Sequence, residues 1–427
     1  MNRLFAKSIY FFVQFLRGEN VFPKFRELQE TQWYKKNQLE ELQEKKFDLL
    51  LKEIRNKVGY YESYWKKVNS LKDIQILPEI DKEIIDENFK KFLHFDIKKY
   101  RPIKYYSSGT TSGKPTTFLI DRKSLGYFHA SQWRGFSWYG INPGSRGVEF
   151  GIMSNFKKEL VRKVKSFVLN RFHISAFDSY NVKDVWNKCL RFSPEYFYGF
   201  PSLVYLFACD LEECGINGKV LGLKVIICTG EKLYSFQKDK IKNVFGCPVV
   251  VEYGATEMGV IGFECPEGNI HLTMENIFVE KKEERIFFTN LINFSMPIMR
   301  YNLGDRILIE EKKCSCGRET PIVKEFLGRK NEFIISVNNK KFYNDILEKI
   351  MKITVNEIKE IKILQVSQKE LEVSVSFFKD SNVEKLTGIV LENLSTITNN
   401  EFKVSVCPVS KIVPENSGKK IFFSSKL

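Results

Sequence analysis

Between residues 105 and 288, short apolar runs alternate with stretches of helical period, and Gly-containing turns separate them. Residues 220–228 and 248–252 are two such runs. The alternation predicts strands feeding helices, an α/β arrangement. Ahead of it, residues 1–100 read as helical and charged, with Leu39, Leu42, Phe47, Leu50, Leu51 and Ile54 at helical spacing. Composition shifts again near Gly328-Arg329-Lys330-Asn331. Beyond it, residues 358–366 and 371–378 read as strands around a turn, 383–394 as a helix and 402–406 as a strand. That is a small α+β module of the split βαβ (ferredoxin-like) type. A chain of 427 residues has room for two or three domains. The expected division is 1–100 and 101–328 within one large domain of mixed sheets and helices, and 329–427 as a mobile module after a hinge.

Lys and Arg number 67 against 52 Asp and Glu, a formal net charge of +15. The excess suits phosphates, acidic polymers or an anionic membrane surface, although a solvated Lys-rich surface is the plainer reading. The charges are spread along the chain, and no nucleic-acid partner is expected. The densest patch, Lys157, Lys158, Arg162, Lys163, Lys165 and Arg171, reads as one helical docking face. The apolar run at 9–16 is short and interrupted by Gln14, so it reads as an N-terminal helix touching a membrane face at most. Nine cysteines, an odd number without a secretory signal, argue against a disulfide framework and for a reducing, cytoplasmic setting.

The stretch Tyr105-Tyr106-Ser107-Ser108-Gly109-Thr110-Thr111-Ser112-Gly113-Lys114-Pro115 combines two glycines, a run of hydroxyls and one lysine. Such a turn can aim backbone N–H groups and hydroxyls at an anion. It is not a Walker loop. Only three residues separate the glycines, where that motif has four, and Pro115 stands where it needs a Mg²⁺-binding hydroxyl. Pro115 also disfavours the α conformation at Lys114, so the loop is expected between strands. A Ser/Gly surface loop is the bland alternative.

Further along come Val250-Val251-Glu252-Tyr253-Gly254-Ala255-Thr256-Glu257, Pro297-Ile298-Met299-Arg300-Tyr301-Asn302-Leu303-Gly304-Asp305, Gly328-Arg329 and Ser417-Gly418-Lys419. In this order and spacing they resemble the adenylate-forming superfamily of acyl-CoA synthetases, peptide-synthetase adenylation domains and luciferase. Leu77-Pro78-Glu79-Ile80-Asp81-Lys82, Tyr198-Gly199-Phe200-Pro201-Ser202, Thr229-Gly230-Glu231 and Phe263-Glu264-Cys265-Pro266 with His271 are similar to the phenylacetate–CoA ligase-like family. Within it they resemble the members associated with capsular polysaccharide biosynthesis.

The resemblance implies an enzyme that joins a carboxylic acid to AMP, releases pyrophosphate, and passes the acyl group to CoA or another thiol or amine acceptor. It implies ATP and Mg²⁺. Ser107, Ser108, Gly109, Thr110, Thr111, Gly113 and Lys114 would cover the β- and γ-phosphates. Thr256 would bond the α-phosphate and Glu257 would hold Mg²⁺. Tyr253 would stack near adenine, with Gly254 and Ala255 beside it and Gly230 and Glu231 lining the same pocket. Asp305 would accept from the ribose hydroxyls, and Arg329 would support them at the hinge. Lys419 would bridge the carboxylate and the α-phosphate. Phe200 and Pro201 would line the acyl pocket. Ser112 is an extra residue relative to the family loop, and Asn331 and Glu332 stand where the family hinge has Asp. An inactive, nucleotide-binding relative acting beside polysaccharide enzymes is the alternative.

Cys265 and His271 lie close together, and Cys314 and Cys316 flank Ser315. Three thiolates and an imidazole form a closed structural zinc set. The remaining cysteines, Cys189, Cys209, Cys214, Cys228, Cys247 and Cys407, read as core.

Overall fold

The computed structural model describes residues 2–107, 115–151, 164, 166–175, 181–283, 285–329, 333–354, 357–414 and 418–427. The chain is α/β, as its alternating periods predict, and divides into two compact units. The first comprises Met1–Ser145, Phe167–Asn170 and Val250–Leu327; the second comprises Arg146–Ser166, Arg171–Val249 and Gly328–Leu427.

In the first unit, helix Lys36–Ile54 buries Leu39, Phe47, Leu50, Leu51 and Ile54 on one stripe. Gln43 takes the buried place expected of Leu42, because its amide donates to the carbonyls of Met274 and Ile277 at 2.8 and 3.0 Å. A satisfied amide can enter a core that an unpaired one could not. Strands Val249–Ala255, Gly259–Glu264 and Ile270–Leu272 form an antiparallel meander. Ile322–Arg329 pairs with the last of these, and Asp305–Glu310 lies at its outer edge. The core collects Phe47, Tyr61, Trp65, Phe92, Phe118, Phe288, Met299 and Tyr301.

The second unit opens with four parallel strands in the order Arg171–Ser175, Gly147–Gly151, Tyr196–Gly199, Val225–Thr229. Their residues are mostly buried on both faces, the pattern of a parallel strand covered by helices. Helices Pro201–Glu213 and Ser235–Phe245 supply apolar cover through Val204, Phe207, Ile241 and Phe245. Arg171 is a buried strand residue with its guanidinium over the Tyr196 and Tyr198 rings, which removes it from the expected helical docking face. The other five cations of that patch lie outside the described residues.

The C-terminal residues form a four-stranded sheet in the order Lys403–Pro408, Glu370–Phe377, Ile358–Ser367, Phe423–Ser425. Helices Asp345–Ile353 and Val383–Ile397 complete its core through Ile346, Ile350, Val390 and Leu394. Lys359 ties this part to helix Pro201–Glu213 through Asp210 and Glu213 at 2.7 and 2.8 Å. Of the cysteines read as core, Cys189, Cys209, Cys228 and Cys247 are buried. Cys214, the residue that ends helix Pro201–Glu213, and Cys407, on an edge strand, are exposed.

Candidate functional site

Strands Ile103–Tyr106 and Thr117–Ile120 pair antiparallel, so the glycine–hydroxyl stretch joins two strands. Its base is closed by Ser107, whose N–H donates to the Thr116 carbonyl at 2.9 Å and whose Oγ accepts from Thr116 N–H at 3.0 Å. Ser108, Gly109, Thr110, Thr111, Ser112, Gly113 and Lys114 lie outside the described residues.

Thr256 and Glu257 occupy the turn between strands Val249–Ala255 and Gly259–Glu264. Gly254 is required there, because a Cβ would stand 2.6 Å from the Gly259 carbonyl oxygen. Glu257 is buried, and its Oε1 accepts from the Tyr301 hydroxyl at 2.7 Å. Burial, reinforced by the Glu257 carboxylate, raises the Tyr301 pKa well above its usual value, so the phenol stays a donor. The Tyr253 hydroxyl donates to Asp305 Oδ2 at 3.0 Å, and its ring meets Phe326 edge-on at 5.0 Å. The structure thus joins Tyr253 to Asp305, and Glu257 to Tyr301.

The segment around Tyr301 is held by its neighbours. Tyr301 and Phe288 exchange backbone hydrogen bonds at 2.9 Å, and Ile80 N–H donates to the Arg300 carbonyl at 3.0 Å. Arg300 sits at φ 54, in the left-handed region that a non-glycine side chain resists. Its buried guanidinium compensates by bonding Glu280 at 3.2 Å and the Leu77 carbonyl at 2.6 Å. The Leu77–Ile80 stretch and the Arg300–Asp305 stretch are therefore one assembly. The sequence alone carries no signal for the roles of Arg300 and Tyr301, because both depend on partners distant in sequence.

In the second unit, Gly199-Phe200 and Gly230-Glu231 follow the carboxyl ends of two adjacent parallel strands, where α/β sheets bind ligands. Gly230 has φ 80, and a Cβ there would lie 2.8 Å from the Phe200 ring and 3.8 Å from Lys419 Cε. Glu231 accepts from Ser202 N–H at 3.2 Å and from Lys420 N–H at 2.8 Å. Burial raises its pKa, opposed by these hydrogen bonds and by Lys419. Lys420, which could have been half of a solvated tail pair, is buried with its ammonium on Glu360. The second Glu360 oxygen accepts from Ile412 N–H at 3.2 Å. One carboxylate thereby holds both ends of the segment that carries Lys419. Arg329 ends strand Ile322–Arg329, while Lys330, Asn331 and Glu332 lie outside the described residues.

The Cys/His set forms a compact cluster in the first unit. Cys265 follows strand Gly259–Glu264, His271 is central in Ile270–Leu272, and Cys314 and Cys316 lie between Asp305–Glu310 and Ile322–Arg329. All four ligand atoms lie within 4.8 Å of one another. Cys265 and Cys314 sulfurs are 3.8 Å apart, and Cys316 Sγ is 3.3 Å from His271 Nε2. Zn–S bonds of about 2.3 Å place tetrahedral sulfurs about 3.8 Å apart, so the spacing fits zinc. It is too long for a disulfide, whose bond is about 2.05 Å. His271 Nδ1 contacts Thr320 Oγ1 at 3.0 Å, a partner that orients a ligating imidazole. Burial, assisted by Arg318, lowers the His271 pKa to about 4, keeping the ring neutral as ligation requires.

No protein-family model matches the chain. It is 26% identical to the protein CapK of Staphylococcus aureus over 414 residues, covering 90% of this chain and 89% of that protein. It is 21% identical to phenylacetate–coenzyme A ligase of Thermus thermophilus, covering 84% and 86%. Over 121 residues, 27% of this chain and 29% of the relative, it is 31% identical to indoleacetate–lysine synthetase of Pseudomonas savastanoi. Among solved structures, 2-hydroxyisobutyryl-CoA ligase in its postadenylation state, bound to an acyl-AMP, superposes with a TM-score of 0.67 at 17% identity. That match covers 94% of this chain and 88% of the other, and at this identity it speaks for the fold.

Proposed function

We propose that the chain is an adenylate-forming enzyme of the phenylacetate–CoA ligase-like kind, activating a carboxylic acid as an acyl-adenylate and transferring the acyl group to CoA. Its similarity to CapK and to phenylacetate–coenzyme A ligase over most of both chains supports this. The observation that carries this reading is the placement of Lys419. It is held beside Gly230 by the Glu231 and Glu360 bonds, at the carboxyl end of a parallel strand.

An acid is a poor acyl donor because oxide is a poor leaving group. In the first half-reaction a carboxylate oxygen bonds the α-phosphorus of ATP as the bond to pyrophosphate breaks. In the second, the acceptor thiol gives up its proton, bonds the acyl carbon and expels AMP. Lys419 brings its ammonium to the charge that develops between carboxylate and α-phosphate. Thr256 donates to the α-phosphate. Glu257, fixed by Tyr301, is the hard oxygen ligand assigned to Mg²⁺. When bound, that ion neutralises phosphate charge. Asp305 and Tyr253 grip the nucleoside, with Gly254, Ala255, Gly230, Glu231 and Arg329 around it. The loop from Ser107 to Lys114 covers the outgoing pyrophosphate. Residues 329–427 swing about the stretch after Gly328 between the two half-reactions, a hinge movement that exchanges the groups facing the adenylate. The cluster of Cys265, His271, Cys314 and Cys316 holds a structural zinc ion. Surface polysaccharide synthesis is the setting this reading favours, on the resemblance of residues 77–82, 198–202 and 263–266 to the members associated with capsular polysaccharide biosynthesis.

Pyrophosphate exchange into ATP, screened over aromatic, hydroxy and amino acids, tests the reading and identifies the acid. Exchange with at least one acid is expected. ATP binding without exchange for any acid would leave a nucleotide-binding protein without the chemistry.

Glu360 is assigned a positioning role, because its buried carboxylate bonds Lys420 and the Ile412 N–H and so acts through the tail. Glu360→Gln is expected to slow exchange about tenfold, the cost of weakening hydrogen bonds to a charged partner. Acyl transfer from a presynthesised adenylate should stay within about threefold. Equal losses in both half-reactions would instead indicate general unfolding of the tail.

A further inference from the structure

The N-terminal helix, Arg3–Leu16, turns its apolar face outward. Its inner side is fixed by Ala6, Tyr10 and Gln14, with the Tyr10 ring edge-on to Trp133 at 5.7 Å. Gly144 allows the close approach, since a Cβ there would stand 2.4 Å from the Arg3 carbonyl oxygen. Leu4, Phe5, Phe12, Phe15 and Leu16 are each at least 60% exposed. Their spacing of three, four, seven and eight residues places them on one face. Ser8 is the polar residue among them, and its hydroxyl is turned back to the Leu4 carbonyl. Phe22, on the next helix, is also exposed, and its ring packs on Phe11 at 5.0 Å.

Single exposed apolar residues are ordinary, but a contiguous strip of five is a binding surface. The charges beside it are positive. Arg3, Lys7 and Arg17 lie on or next to the helix, and no acid precedes Glu19. Arg101 and Arg122 approach Gly18, just past the helix. Glu19 is buried, where it pairs with Arg17 and Arg122 and faces His129, so these two cations and one carboxylate leave a single net positive charge beside the strip.

We propose that this face docks the chain on an anionic lipid surface, with the helix lying in the plane of the headgroups. Fourteen residues make a rod about 21 Å long, short of a bilayer's ~30 Å hydrocarbon core. No helix among the described residues is long and apolar enough to cross a membrane. Apolar side chains flanked by cations suit the boundary between acyl chains and anionic headgroups. A second copy of this face fits poorly. Five large apolar side chains, each at least 60% exposed, present several hundred Å², below the ~800 Å² per partner of a stable interface. It would also oppose like charges.

The test is cosedimentation of the full chain with vesicles of phosphatidylcholine containing about a third phosphatidylglycerol, with neutral vesicles as control. Binding to the anionic vesicles is expected, at least tenfold weaker to neutral ones, and weakened by high salt. Phe12→Ser combined with Phe15→Ser should lose about tenfold or more of it with an unchanged melting curve, since both side chains are exposed. Three outcomes overturn the proposal: no binding to anionic vesicles, undiminished binding by the double variant, or a solution dimer that the double variant dissociates.

Discussion

Lys419→Ala is expected to reduce acid-dependent pyrophosphate exchange by about 10²–10³-fold, the usual loss when one preorganised donor is removed from a developing charge. Thioester formation from a presynthesised adenylate should change by no more than about threefold, because the lysine serves the first half-reaction. Its neighbour provides the control. Lys420→Met removes the ammonium that Glu360 holds in a buried site, while the backbone N–H that Glu231 accepts survives. It should lower the melting temperature, because an unpaired buried carboxylate is costly. Exchange should fall by far less than in Lys419→Ala. Comparable losses in the two variants would mean that the segment acts only as a structural strap, and the catalytic assignment of Lys419 would fail.

The second large effect concerns the Cys/His cluster. Purified protein should carry about one zinc per chain. Cys316→Ser, or exhaustive chelation, should lower the melting temperature by about 10 °C. The reasoning is that a structural zinc contributes several kcal/mol of folding energy, and each kcal/mol moves a unit of this size by roughly 2–4 °C. Burial pushes the Cys265 thiol up to about 12, so zinc uptake near neutral pH should release protons, which calorimetry in buffers of different ionisation enthalpy can measure. A zinc-free preparation with an unchanged melting curve would leave three thiols and an imidazole in contact for packing alone.

Much of the architecture is legible in the sequence because it rests on local periods. The alternation through the middle of the chain predicts strands feeding helices, as Val225–Thr229 does ahead of helix Ser235–Phe245, whereas the run at 248–252 feeds an antiparallel turn. The C-terminal strands at Ile358–Ser367 and Glu370–Phe377 begin and end within a few residues of their apolar runs. What escaped depends on contacts between distant segments. Gln43 occupies a core stripe because two carbonyls from the Met274–Ile277 turn await it. Phe423–Ser425 is a strand of three residues, too brief for any period to register. Glu360 and Lys420 each look like ordinary surface charges in the sequence, and only a fold that brings residues 60 positions apart together reveals a buried pair. The site shows the same division. Tyr253, Glu257 and Asp305 could be named from their motifs, whereas the bonds Tyr253–Asp305 and Tyr301–Glu257 span 52 and 44 residues.

Glu231 has a consequence for how such a chain can diverge. Its carboxylate grasps two main-chain amides, one at the start of a helix and one in the tail. An amide hydrogen is present whatever residue bears it, proline excepted. The Glu231 bond to the tail therefore does not depend on which side chain stands at position 420, whereas position 231 cannot change; the Lys420 side chain is kept by Glu360 instead. Keeping the tail in reach thus falls on two acids, Glu231 through a main-chain amide and Glu360 through the Lys420 ammonium and the Ile412 amide.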